Sequence, residues 1–126
     1  MSLAYVDSSC LVAIALGERA GAALARRLER FDQLCSANLL EAELRGALVR
    51  KGLAPDVDLL SWISWVLPDR ALSPEIARVL AAGRLRGADL WHVACALYVA
   101  GSPVDLPFVT LDDRQQAVTK RLGFPT

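Results

Sequence analysis

Leu3-Ala4-Tyr5-Val6-Asp7-Ser8-Ser9 is the stretch from which the rest of the chain is read. Four apolar residues run straight into a carboxylate and two hydroxyls. An apolar run without polar alternation fits a strand buried on both faces, as in a parallel sheet, and Asp-Ser-Ser fits the turn that ends it. Ligands of open α/β sheets gather outside the carboxyl ends of the strands. Asp7 therefore stands where a site would form, and the question is which other acids join it.

Outward from this stretch, residues 10–16 read as a short helix capped by Ser8 or Ser9 and broken by Gly17. Residues 18–30 read as an amphipathic helix, with Leu24 and Leu28 inward and Arg26, Arg27, Glu29 and Arg30 outward. Residues 33–36 form a candidate second strand. Asn38 is placed as the cap of a helix over 39–51, ended by Gly52. Pro55 and Asp56 are expected to start a helix reaching about Trp65, with Trp62 and Trp65 on one face; residues 66–72 are irregular, with room for a short strand. Ser73-Pro74-Glu75 reads as a cap followed by Pro at the first helical position, opening a helix to about Ala82. Residues 89–100 form the most apolar helix, expected at the centre. Residues 106–111 are a second good strand, again ending in acid, Asp112-Asp113, before a last helix over 114–122.

Helices alternating with short apolar strands imply an α/β fold, a parallel sheet flanked by helices. Right-handed crossovers put the carboxyl ends of the strands on one edge, so Asp7 and Asp112 become candidate neighbours. At 126 residues and 54% hydrophobic, residues 1–126 are expected to form a single domain with one packed core, not a disordered chain. No apolar run reaches the roughly 18 residues of a membrane span, and no secretory signal is visible, so a cytoplasmic protein is expected. Cys10, Cys35 and Cys95 have no metal-ligand spacing and read as reduced, buried thiols. Net charge is zero, which argues against a strongly electrostatic nucleic-acid binder. Acids gathered at a metal would leave the remaining surface basic. Twelve of the fourteen bases are Arg, which suits bidentate phosphate contacts and equally follows from GC-rich codons.

Each acid has an ordinary reading beside a functional one. Asp7 could cap the next helix, although Ser8 and Ser9 already offer caps. Glu41 and Glu43, near a helix start, are favoured by the helix dipole. Two residues apart on a helix, they point about 200° from each other, so one must lie nearer the apolar face; periodicity does not choose between them. Asp89 could be a first-turn acid, and His92, three residues on, a hydrogen-bonded structural histidine. One of Asp112 and Asp113 could cap the last helix while the other faces the sheet edge. Taken jointly, two strand-end acids, a helix-start Asp and a helical Glu make a sparse carboxylate set. Brought close together they repel and raise one another's pKa, a penalty that a divalent cation removes. All-oxygen ligation favours Mg²⁺ or Mn²⁺ over Zn²⁺, and such a site activates water for displacement at phosphorus.

The ordered pattern resembles the PIN domain, and within it the toxin nucleases of the VapC type, over essentially the whole chain. The resemblance is carried by Tyr5-Val-Asp7-Ser-Ser9, Glu43-Leu-Arg-Gly-Ala-Leu48, Ala88-Asp89-Leu-Trp-His92-Val-Ala94-Cys-Ala96, Phe108-Val-Thr110-Leu-Asp112-Asp113-Arg114 and the terminal Leu122-Gly123-Phe124. It implies a PIN-like α/β/α sandwich and a Mg²⁺- or Mn²⁺-dependent endoribonuclease whose acidic site is Asp7, Glu43, Asp89 and Asp112. Asp7 and Asp89 would be the primary metal ligands, with Glu43 and Asp112 acting through water or a second ion. Glu43 is favoured over Glu41 because the family's Glu precedes a Leu-Arg-type helical run; Glu41 and Asp113 stand by as the other members of their doublets. Ser9 and Thr110 match hydroxyls that orient the acids, and His92 matches a position where His is common. Arg45, Arg84, Arg86 and Arg114 adjoin the motifs and are the candidate phosphate contacts on an RNA substrate. The resemblance also implies a VapB-type antitoxin partner and a homodimer; Trp62, Trp65 and Val66 are candidates to line a groove for a partner helix. Rival readings are a catalytically idle PIN-like binding module, a PIN nuclease acting on DNA or in RNA processing, and a receiver-like signalling domain. The last is disfavoured because no Lys follows the final strand at a suitable place.

Overall fold

The computed structural model describes residues 2–54 and 57–126. Along the chain lie β1 (Leu3–Val6), α1 (Ser8–Ala15), α2 (Gly21–Leu28), β2 (Gln33–Ala37), α3 (Leu39–Arg50), α4 (Val57–Leu60), β3 (Ile63–Val66), α5 (Ser73–Ala82), α6 (Gly87–Val99), a 3₁₀ turn (Pro103–Asp105), β4 (Phe108–Val109) and α7 (Asp113–Leu122). The four strands form one parallel sheet of order β3-β2-β1-β4, so β1 is interior. This is the α/β architecture expected from the sequence, a sheet between two helical layers.

Side chains alternate across a strand, and the alternation sorts the core into two faces. Tyr5, Cys35, Ala37, Val66 and Phe108 face α5, α6 and α7. Ala4, Val6, Leu34, Ile63 and Val109 face α1, α2 and α3. Tyr5 and Phe108, neighbours in register, stack with ring centroids 5.1 Å apart at the centre of the first face. The expected central helix is α6, whose residues 92–97 are all buried. Among the described residues no helix is long and apolar enough to cross a membrane. Cys10, Cys35 and Cys95 are free and buried, as read.

Several local expectations are corrected. Pro55 and Asp56 lie outside the described residues. The helix expected to run on to Trp65 ends at Leu60, and Ile63-Ser-Trp-Val66 is instead the edge strand β3, hydrogen-bonded in register with β2. Trp65 and Val66 consequently point to opposite faces, and Trp62 stands outside the strand, 40% exposed. Trp65 and Val66 therefore do not line one face together, as the sequence reading expected of them. The helix over 18–30 shrinks to Gly21–Leu28, because Gly17 takes a positive φ of 65° and the chain turns before re-entering the helix. Strand β4 covers only Phe108–Val109 of the expected 106–111; its outer edge is closed by Phe108 N donating to Pro125 O at 2.9 Å, and the chain then turns at Thr110. Asn38 precedes α3 without capping it through its side chain, Ser73 lies inside α5, and α6 starts at Gly87, which leaves Asp89 in its first turn.

Candidate active site

The carboxyl ends of β1 and β4 meet at Asp7. Asp7 N donates to Val109 O at 2.9 Å, which sets Asp7 beside Thr110. The helix after β1 starts at once, and Asp7, not Ser8 or Ser9, is its cap: Oδ2 accepts from Ser9 N at 3.0 Å. Capping and site-building turn out to be compatible, since the two oxygens divide the work. Oδ1 faces the other way, accepting from Gln115 Nε2 at 3.1 Å and lying 3.9 Å from His92 Nε2. Asp7 is only 2% exposed.

Asp112 caps α7 in the same manner, its Oδ1 accepting from Gln115 N at 2.8 Å. It is half-buried, whereas Asp113 is exposed in the first turn of the helix. The doublet on α3 is resolved by the same kind of geometry. Glu43 Oε1 stands 2.8 Å from His92 Nε2, facing the sheet edge. Glu41 turns away: its carboxylate accepts from Arg45 Nε at 2.8 Å and from Asn38 Nδ2 at 3.2 Å, and these bonds hold it below the usual carboxylate range.

Asp89 is half-buried in the first turn of α6, and its carboxylate accepts no hydrogen bond among the described residues. Burial pushes its carboxyl above the ordinary Asp value, and the charges of Asp7, Asp112 and Glu43 push it further, with His92 acting in the opposite sense. The four acids named from the sequence thus share one electrostatic field although they come from four different elements. Among the described residues no three His, Cys, Asp or Glu side chains already stand at ligand spacing around one point. The N-termini of α1, α6 and α7 all open here, and their dipoles favour negative charge.

Gln115 ties this arrangement together and is a residue the sequence reading missed. Fully buried, it donates through Nε2 to Asp7 Oδ1 and to the Asp89 carbonyl (3.2 Å), and accepts through Oε1 from the Thr110 hydroxyl (2.6 Å). Only this orientation of the amide satisfies all three partners. A signal was present: Asp112 and Gln115 have the spacing of a capping box, in which the Gln reaches back to the cap's own N–H. Here that N–H is already taken by Thr110 Oγ1 at 3.0 Å, which frees the Gln side chain for the site. Ser9 Oγ accepts from Leu111 N at 3.1 Å and lies 3.4 Å from Thr110 Oγ1, so both expected hydroxyls brace the turn after β4. Tyr5, taken from the sequence only as one of the four apolar residues before Asp7, was the second omission: its hydroxyl contacts His92 Nδ1 at 2.8 Å.

Of the candidate phosphate contacts, Arg45 is committed to Glu41. Arg84, Arg86 and Arg114 are exposed at the starts of α6 and α7, and among the described residues none of them is in an ion pair.

The family model for the PIN domain matches residues 4–121, and the chain belongs to this family. PIN domains are typically nucleases, and those nucleases generally use divalent metal ions. No curated relative and no solved structure matches the chain.

Proposed function

We propose that this PIN domain is a Mg²⁺- or Mn²⁺-dependent endoribonuclease and the toxin of a VapC-type toxin–antitoxin pair. The observation that carries the nuclease reading is the Asp89 carboxylate, without a hydrogen bond among the described residues and raised first by burial and then by the charges of Asp7, Asp112 and Glu43. An all-oxygen set of this kind fits a hard divalent cation. Asp7 and Asp89 would hold it, with Glu43 and Asp112 completing the set. Such an ion, when bound, makes water a better nucleophile at neutral pH and neutralises charge at phosphorus.

The chain's own residues account for the rest. Ser9 N and Gln115 Nε2 hold the Asp7 carboxylate in one orientation, and Gln115 holds the backbone of Asp89 beside it. Arg84, Arg86 and Arg114 supply exposed guanidinium groups for phosphate; Arg45 would have to leave Glu41 to do so. The family resemblance supports the wider reading: an RNA substrate, a VapB-type antitoxin encoded beside the toxin, a homodimer and a cytoplasmic setting.

The test compares single-stranded RNA and DNA with and without Mn²⁺. RNA is cut only with the ion, leaving 5′-phosphate and 3′-hydroxyl ends. Asp7→Asn keeps the cap of α1, since Asn caps helices as well as Asp does, but its amide nitrogen faces the Gln115 Nε2 donor, so its fold is checked by circular dichroism. Its cleavage falls at least about 100-fold, as expected when several kcal/mol of charge stabilisation is lost. Cleavage without the ion, or ends bearing 2′,3′-cyclic phosphate, would overturn the mechanism. Cleavage of DNA alone would change the substrate class, and cleavage of neither would leave an idle binding module.

A further inference from the structure

A buried hydrogen-bond chain runs from the backbone of β2 to the exposed rim of the acidic site. Ala37 N donates to the Tyr5 hydroxyl at 2.9 Å, that hydroxyl stands 2.8 Å from His92 Nδ1, and His92 Nε2 stands 2.8 Å from Glu43 Oε1. Tyr5 and His92 are both fully buried. The Ala37 amide occupies a lone pair of the phenol oxygen, which leaves the phenol proton for Nδ1. A neutral imidazole that accepts at Nδ1 carries its own hydrogen on Nε2, the nitrogen facing Glu43. We infer that His92 is a positioning residue, locked by Tyr5 in the Nε2–H tautomer, which pins Glu43 by one oxygen and leaves the other for the divalent cation or its water. This inference rests on the nuclease reading for the cation and on the hydrogen-bond chain for the pinning.

Three features of the site agree with it. Nε2 lies between two carboxylates, Glu43 at 2.8 Å and Asp7 at 3.9 Å, where a lone pair would face only acceptors. Glu43 has no other hydrogen bond among the described residues, and its side chain is 30% exposed, so His92 is what keeps it from swinging into water. The bond also spans the sheet edge, because α3 and α6 pack on opposite faces. A nitrogen that donates to a carboxylate has no lone pair for a metal, so the donor set stays all-oxygen. The rival arrangement runs through Ser36, whose buried hydroxyl adjoins the Tyr5 phenol and has no hydrogen-bond partner by distance and angle among the described residues. Were the phenol proton to go there, Nδ1 would have to carry a hydrogen and Nε2 a second one to keep Glu43.

His92 is the sole histidine, so its ring nitrogens are read without assignment in ¹⁵N-labelled protein. In the cation-free wild type, long-range ¹H–¹⁵N spectra show an unprotonated Nδ1 and a protonated Nε2. The Nδ1–H tautomer, or two protonated nitrogens at neutral pH, overturns the inference. Tyr5→Phe mixes the tautomers and weakens Mn²⁺ binding, followed by titration calorimetry, on the order of 10- to 100-fold, the usual effect of losing an outer hydrogen-bond partner. His92→Gln, which keeps an amide N–H at the reach of Nε2, binds Mn²⁺ more tightly than His92→Leu; equal loss in the two means that His92 only fills space and overturns the positioning role. Wild type that binds Mn²⁺ and shows the Nε2–H tautomer but cuts no RNA defeats the nuclease reading and leaves the positioning intact. Wild type that binds no Mn²⁺ defeats the positioning role itself.

Discussion

Gln115 Nε2 lies 3.1 Å from Asp7 Oδ1 and so joins the last helix to the first strand across 108 positions. The same amide also holds the Asp89 carbonyl and the Thr110 hydroxyl, with no exposure to solvent. Gln115→Met keeps the volume and removes every one of these bonds. It leaves a buried carboxylate oxygen without its donor and the Thr110 hydroxyl proton without its acceptor, each an expensive defect. The expected loss is about 2–3 kcal/mol in denaturant unfolding. Gln115→Glu substitutes a fifth acid and loses more without Mn²⁺ than with it. Equal losses in the two conditions would mean that Gln115 takes no part in holding the acids.

The sequence made the strand-end acids legible and left their supports hidden. β1 announces itself because four apolar residues stop at Asp7, and β4 because Phe108-Val109 leads to Asp112. β3 did not, since Leu59, Ile63 and Val66 are spaced as a helix would space them. The register with Cys35 and Ser36 decides the matter, and that contact is invisible in one segment. Glu43 could not be told from Glu41 by periodicity, because both flank the apolar stripe; His92 and Arg45 on either side separate them. Tyr5 and Gln115 were overlooked for a common reason. Each looks like an ordinary residue of its element, a core aromatic and a helical Gln, and only the polar tip reaches the site.

Gly21 lets α2 start directly against the end of α1. A Cβ there would meet Ala13 O at 2.9 Å and Ile14 Cα at 3.2 Å, both backbone atoms that cannot rotate away. Replacing Gly in a helix interior gains up to about 1 kcal/mol of propensity, but at the first helical position that gain is small. Overpacking costs about 1–3 kcal/mol, so Gly21→Ala is expected to destabilise. Chemical unfolding of the variant gives the sign directly. A stabilised variant would show that α1 and α2 separate without cost.

The buried thiols make the fold sensitive to alkali. Burial is the leading cause that pushes Cys10, Cys35 and Cys95 up to about 12, with the Asp7 charge adding to the shift at Cys10. In the unfolded chain these thiols ionise near their ordinary value, so above it the unfolded state binds fewer protons and stability falls as pH rises towards 12. The slope is up to about 1.4 kcal/mol per pH unit for each thiol. Urea unfolding at pH 8 and pH 10 should separate by several kcal/mol, about a third of the difference vanishing in Cys35→Ala. Rapid labelling of all three thiols in the native protein at pH 8 would refute the premise.

Asp89 tests whether the four acids behave as one site. Its carboxyl is raised first by burial and then by Asp7, Asp112 and Glu43. Well below the ordinary Asp range it is protonated in both folded and unfolded chains and costs nothing. As pH rises the unfolded chain releases this proton first, so stability drops until the folded carboxyl ionises too, and the full cost is present at neutral pH. Asp89→Asn removes that cost and should melt at a higher temperature than the wild type at pH 7 without divalent ions, the advantage fading as pH falls through the carboxylate range. Mn²⁺ reverses the order. At a free concentration about 100 times its dissociation constant it stabilises the wild type by about 2.7 kcal/mol, and it does far less for a variant lacking one of the carboxylates. Melting curves of both proteins at pH 4 and pH 7, with and without Mn²⁺, give the comparison. A variant less stable than the wild type in the absence of the ion, or equally stabilised by it, would show that residues 7, 43, 89 and 112 do not act together on one cation.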